Sequence, residues 1–206
     1  MTEYNKNLKI HNTAYKNRKP AFTLIEILVS VAISSVLILV LSRVFSNGYK
    51  NYRLGQQKIT NNEVATRAVS DFEKIARNTT VLESASAQGI TFYAFLRDDS
   101  GNFPTKIEYS YDSTDRNLIK KVTDPVVTAG VADYTGPTET KVIADNIIDE
   151  NIFRYFNAGN QLMDVIDITV VKKVEITVTV DQNPGLTPDP ATQSTSVLFR
   201  SLESNL

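Results

Sequence analysis

The stretch that most constrains this chain is Phe22–Leu41, twenty residues that are apolar apart from Thr23, Glu26 and three serines. As a helix rising about 1.5 Å per residue it covers about 30 Å, the hydrocarbon thickness of a bilayer. Arg18 and Lys19 precede it closely, while Arg43 and Lys50 follow more sparsely. That asymmetry predicts a cytoplasmic N-terminus and places the residues beyond Phe45 on the far side of the membrane. A cleaved secretory signal would need a shorter apolar core and a small-residue cleavage site. Ser30, Ala32, Ser34 and Ser35 are small, but apolar sequence continues for six residues after them. An uncleaved signal anchor passes the same hydropathy test.

Glu26 separates these alternatives. A carboxylate inside a membrane helix costs roughly 2.5–3.5 kcal/mol on insertion scales, and such residues usually mark a pairing site. The blander reading is a glutamate near enough to the interface to reach water. The surrounding residues, Lys19-Pro20-Ala21-Phe22-Thr23-Leu24-Ile25-Glu26-Ile27, resemble the processing motif of type IV prepilins and type II secretion pseudopilins. The resemblance implies that a membrane prepilin peptidase cuts between Ala21 and Phe22, that Phe22 becomes an N-methylated terminus, and that the apolar helix is kept as the spine of a filament. Glu26 matches the motif glutamate, which the resemblance assigns to subunit assembly. Two features depart from the family's usual pattern. Ala21 stands where Gly is usual, and no Pro falls between Pro20 and Pro104, whereas many major pilins carry one about twenty residues into the mature chain. The second departure points away from a bulk filament subunit.

Composition narrows the function classes. The 206 residues contain no Cys and one His, His11, inside the expected leader. A chain cut before Phe22 therefore has neither a thiolate nor an imidazole for nucleophilic, general-base or metal chemistry. Residues 1–21 hold five of the 22 basic residues and one of the 23 acidic ones, so a basic leader precedes an acidic body. Such a body has no broad electrostatic footprint for nucleic acid; a nucleic-acid partner is left open, with no motif to support it.

Three segments are expected: a basic leader at 1–21, without periodicity and read as disordered; a long helix over 22–78 that crosses the membrane at 22–41; and a β-rich head over 79–206. Apolar residues recur at helical spacing past the membrane, at Ala65, Ala68, Val69, Phe72, Ile75 and Ala76, and predict a face packed under a sheet. Gly48 and Gly55 weaken the middle, so a bend or frayed region is expected over 47–62. Asn78-Thr79-Thr80 is the expected stop. Beyond it the period falls to two. Ile90–Leu96, Lys106–Tyr111 and Leu118–Val122 read as an antiparallel meander, followed by short strands at Lys141–Ala144 and Ile152–Phe156. Val174–Val180 and a closing strand at Val197–Ser201 complete the pattern. Residues 124–140 and 183–193, rich in Pro, Gly and Thr, read as surface loops. The fold class is thus α+β, one long helix on an antiparallel sheet. Order and strand character are similar to the larger subunits of the pilin family, the W-type minor pilins and J-type minor pseudopilins.

Asp98–Asn102, Asp112/Asp115 and Asp164/Asp167 are the candidate calcium or acid–base carboxylates. Each is too short and too poor in ligands for a calcium loop, and a plain turn explains each better. No cofactor, metal or catalytic residue is expected, and no small-molecule substrate. The resemblance implies a minor pilin or pseudopilin, a non-enzymatic subunit that starts or caps a type IV pilus or type II secretion pseudopilus. Its implied partners are the prepilin peptidase/N-methylase, other pilins or pseudopilins met through the N-terminal helix, and the cytoplasmic membrane. The expected location is single-pass, with a periplasmic or other extracytoplasmic head, in the filament after assembly. An adhesin or DNA-uptake subunit using the two loops is the alternative from another class.

Overall fold

The computed structural model describes residues 22–96, 103–183 and 189–199. The expected leader, with Ala21, lies outside the described residues, as do the Asp98–Asn102 turn, residues 184–188 of the second loop and the end of the expected closing strand.

One helix, α1, runs unbroken from Leu24 to Ala76. The helical pattern continues through 47–62, so the fraying expected there is not seen. Gly48 and Gly55 have open space where a side chain would stand. A helical glycine costs about 1 kcal/mol relative to alanine, too little to break a helix that no neighbour pulls aside. The chain divides into two compact units between Tyr49 and Lys50, inside α1.

In the first unit every residue from Phe22 to Tyr49 is exposed. Its helix is long and apolar enough to cross a membrane, and none of the most apolar window is buried within the protein.

The second unit is α+β, as expected. Among the described residues ten strands follow α1: β1 (Thr79–Ser86), β2 (Gly89–Ala94), β3 (Thr105–Asp112), β4 (Asn117–Thr123), β5 (Val126–Thr128), β6 (Val131–Asp133), β7 (Thr138–Ala144), β8 (Phe153–Phe156), β9 (Lys173–Val180) and β10 (Ala191–Leu198). They form a five-stranded sheet β1-β2-β3-β4-β7, a three-stranded sheet β10-β9-β8 and a small β5-β6 ribbon. Every strand pair is antiparallel. The expected meander is β2-β3-β4, but the structure extends it. β1 lies where only a helix stop was expected; its two register shifts against β2 scramble the alternation that sequence reading depends on. The 124–140 segment is not a bare loop. It holds β5 and β6, joined at Ala129 and Gly130, both at positive φ, the backbone a type I′ hairpin turn requires. β10 starts at Ala191, inside the segment read as loop, because its Thr, Gln and Ser residues carry no apolar signal.

The core sits between the second half of α1 and the sheets. Asn61, Ala65, Ala68, Val69, Phe72 and Ala76 are the buried helical residues, a stripe at three- and four-residue spacing. Phe72 is its centre. Its ring meets Phe92 (6.3 Å) and Tyr109 (5.3 Å) edge-on and Phe153 at 5.5 Å. These separations suit the quadrupoles of aromatic rings. On β9, Val174, Ile176, Val178 and Val180 are buried and alternate with half-exposed residues, as a sheet covered on one face requires.

Candidate assembly and processing site

The sequence points to Phe22 and Glu26, and the structure places both at the start of α1. Thr23 opens the helix. Its carbonyl accepts from the amides of Glu26 (3.1 Å) and Ile27 (3.2 Å), and its hydroxyl accepts from the Glu26 amide at 3.3 Å. Thr23 is therefore the N-cap, and Glu26 is the third helical residue. A Ser or Thr followed three residues later by Glu is a helix-start signature, and Thr23-x-x-Glu26 carries it. The signature is legible in the sequence itself. It gives Glu26 a role within its own chain: a negative charge in the first turn faces the positive end of the helix dipole.

Two of the three serines of the apolar run bond to their own helix. Ser30 donates to the Glu26 carbonyl and Ser35 to the Val31 carbonyl, each at 2.7 Å. A hydroxyl bonded back to its own helix asks nothing of the surrounding solvent. Small serines also leave a notch. Phe22, Ser30, Ser34 and Ile38 line a shallow apolar groove of about 440 Å³ on the helix surface. Glu26 lies one turn from both Phe22 and Ser30. The arrangement offers a single anionic position on an apolar rod.

In the second unit, polar anchors hold α1 to the sheets. Tyr109, fully buried, donates its hydroxyl to Asp71 Oδ2 at 2.8 Å, and Lys120 Nζ reaches both oxygens of Asp71 at 2.9 and 3.0 Å. Burial, reinforced by the Asp71 charge and hydrogen bond, pushes the Tyr109 phenol well above its ordinary value. Burial raises the Tyr155 phenol too; its hydroxyl donates toward the Ser86 and Gly89 carbonyls at 3.0 Å. At the surface, burial works to raise the Glu83 carboxyl, but hydrogen bonds from Lys106 and Tyr93 outweigh it and hold it below its usual range.

Two of the candidate calcium carboxylates, Asp112 and Asp167, are engaged in local turns. Asp112 Oδ1 accepts the Thr114 amide. Asp167 Oδ1 accepts both the hydroxyl and the amide of Thr169, which lower its carboxyl. Among the described residues no three His, Asp or Glu side chains converge as a metal site would need.

A family model described as the prokaryotic N-terminal methylation motif matches residues 16–42. The match takes in Ala21, Phe22, Thr23 and Glu26 and ends at Ser42, before the second unit begins. No curated protein matches the chain.

Proposed function

We propose that this type IV prepilin-like chain is a minor pilin or pseudopilin, cut between Ala21 and Phe22, methylated on the new Phe22 amine and held in the cytoplasmic membrane by residues 22–41. Its work is assembly: it enters a type IV pilus or type II secretion pseudopilus by helix packing and acts at initiation or at the tip. The observation that carries this reading is the coincidence of the methylation motif at 16–42 with a membrane-length helix that buries nothing in its own fold. The motif points to a structural subunit and not to an enzyme.

Physical chemistry supports the division of labour. Cleavage would leave a free amine on Phe22, one turn before Glu26. In a filament, the amine of one subunit can face the Glu26 carboxylate of the next. The pair gains Coulomb energy where the dielectric is low and pays desolvation for both ions. Its main contribution is register, since it fixes the axial step between neighbouring helices. The Thr23 cap keeps the first turn wound, so the carboxylate is presented from a rigid backbone. Absence of a helix Pro and a strand-rich head support a rare subunit over a bulk one.

The test is Glu26→Ala in the full chain. Membrane insertion should persist, because removing a charge favours it, while co-purification with other pilins should fall. Co-purification at the wild-type level would sink the reading. A second reading, display of a binding element, is favoured by the β5-β6 ribbon, where Val127 and Val131 are exposed. Swapping residues 124–140 should then abolish attachment or DNA uptake while assembly continues normally.

A further inference from the structure

Between Glu26 and Glu63 the chain has no acidic residue, and the four basic residues there, Arg43, Lys50, Arg53 and Lys58, all follow the apolar run. Beyond Lys58 the balance reverses, with 13 basic residues against 21 acidic ones. All four basic side chains belong to exposed residues of α1. Among the described residues the ion pairs are Glu63–Arg67, Glu73–Arg77, Glu83–Lys106, Asp71–Lys120 and Glu108–Lys121, and none of them uses the four.

An exposed helix face that serves only solubility mixes both signs, as Glu63, Arg67, Asp71, Glu73, Lys74 and Arg77 do further along α1. A stretch of one sign calls for an anionic partner from outside the chain. Orientation in the membrane does not account for it. Basic residues on the far side work against the asymmetry that Arg18 and Lys19 set up.

The place of these charges along the helix says which partner they meet. Lys50 is nine residues past Leu41 and Arg53 twelve, so at the helical rise they stand no more than about 13 and 18 Å from the end of the apolar run. The headgroup layer adds about 5–7 Å outside the hydrocarbon. At 0.1 M salt a charge is felt for about 10 Å more. Arg43 is then among the headgroups, Lys50 within their reach and Arg53 at the margin, while Lys58, up to about 25 Å out, is past them. Phe45, Tyr49 and Tyr52 are exposed at the same levels, and aromatic residues, Tyr above all, favour the membrane–water interface. Duplex DNA, another polyanion, is disfavoured by the acidic balance beyond Lys58.

We propose that Arg43, Lys50 and Arg53 form a collar that binds anionic phospholipid headgroups of the extracytoplasmic leaflet. The apolar run continues directly into the collar, so the same helix that enters the hydrocarbon brings these charges to the phosphates. Tyr49 and Tyr52 supply ring and hydroxyl beside them. The collar holds the unassembled subunit on its membrane, and packing against filament neighbours has to displace the bound lipid. This inference rests on the membrane-spanning reading above and names the lipid class that the span meets on the far side.

The test uses the full chain in nanodiscs of phosphatidylcholine, with or without phosphatidylglycerol. Arg43→Gln, Lys50→Gln and Arg53→Gln combined should lower the preference for phosphatidylglycerol over phosphatidylcholine at least about threefold, where one fully engaged charge supplies about fivefold. Spin-labelled lipids held beside the protein report that preference. The loss is read against the wild-type chain, so the basic residues of the leader drop out of the difference. High salt should produce a similar loss, Lys58→Gln should produce the least, and the urea midpoint should not move, because Gln keeps the helix propensity of Arg and Lys. The amides of residues 50–54 should exchange more slowly in the anionic discs than in the neutral ones, and the triple variant should erase the difference. An unchanged preference in the triple variant, or equal exchange in the two kinds of disc, overturns the proposal. So does binding of duplex DNA that the triple variant abolishes while the lipid preference stays, which would give the face to nucleic acid. Release of the chain from membranes by alkaline carbonate would instead overturn the membrane-spanning reading, and a missing Phe22 start the filament reading.

Discussion

The two halves of α1 have the same backbone and opposite surroundings. From Leu24 to Tyr49 every residue is exposed; from Asn61 to Ala76 six residues are buried. The first half is apolar on all sides, so no single face can be the inward one. The second half has a stripe, because Asn62, Glu63, Arg67 and Lys74 are polar where Ala65, Ala68, Val69 and Phe72 are not. A helix apolar all round needs lipid or other helices, whereas a striped one needs a sheet. What distinguishes the halves is the angular spread of apolar residues, not their number.

The largest effect expected of this contrast is Phe72→Ala. Emptying the centre of the aromatic cluster should cost about 3–5 kcal/mol, read as a lower urea midpoint for the full chain in detergent. Val36→Ala should leave that midpoint unchanged. Equal effects would erase the distinction between the halves.

Asp71→Ala comes next. It strands a buried Tyr109 hydroxyl and leaves the Lys120 ammonium, only 12% exposed, without its carboxylate. A loss of about 1–3 kcal/mol is expected. The same contact predicts pH behaviour. The raised phenols of Tyr109 and Tyr155 keep their protons in the folded chain past pH about 10, where an unfolded tyrosine releases its own. The stability they contribute is full below that pH and is lost as the pH climbs beyond it. Alkaline titration of the urea midpoint should show the decline, and Tyr109→Phe should lessen it.

Gly55→Ala sharpens the comparison from the other side. An added Cβ meets nothing within 4 Å, so helix propensity should raise helical stability by about 0.5–1 kcal/mol. A loss would mean that this part of α1 is not an unsupported helix. Smallest is the Glu83–Lys106 pair, about a third exposed on each side and worth under about 1 kcal/mol. The Glu83 contribution, from a depressed carboxyl, should fade as the pH falls below its ordinary range; that of Lys106, whose ammonium the Glu83 hydrogen bond raises, should fade at alkaline pH.

Where apolar residues kept a clean period, the sequence was legible. The Phe72 stripe and the β9 alternation are both where the pattern put them. Legibility failed for physical reasons elsewhere. Bulges in β1 hid a strand, and β10 is built of hydroxyl and amide side chains that look like loop. Gly48 and Gly55 suggested fraying where the helix is continuous. Among the candidate site residues, Glu26 was singled out for its charge, but its place as third residue behind the Thr23 cap was missed. The division into two sheets had no sequence signal, since pairing between distant strands leaves no local period.

A processed filament spine and a signal anchor differ in where the mature chain begins. The mass of the N-terminal peptide from membrane fractions tests this difference most directly. A spine cut before Phe22 gives a peptide that begins at an N-methylated Phe22. An intact Met1, or a start in the thirties, would contradict it.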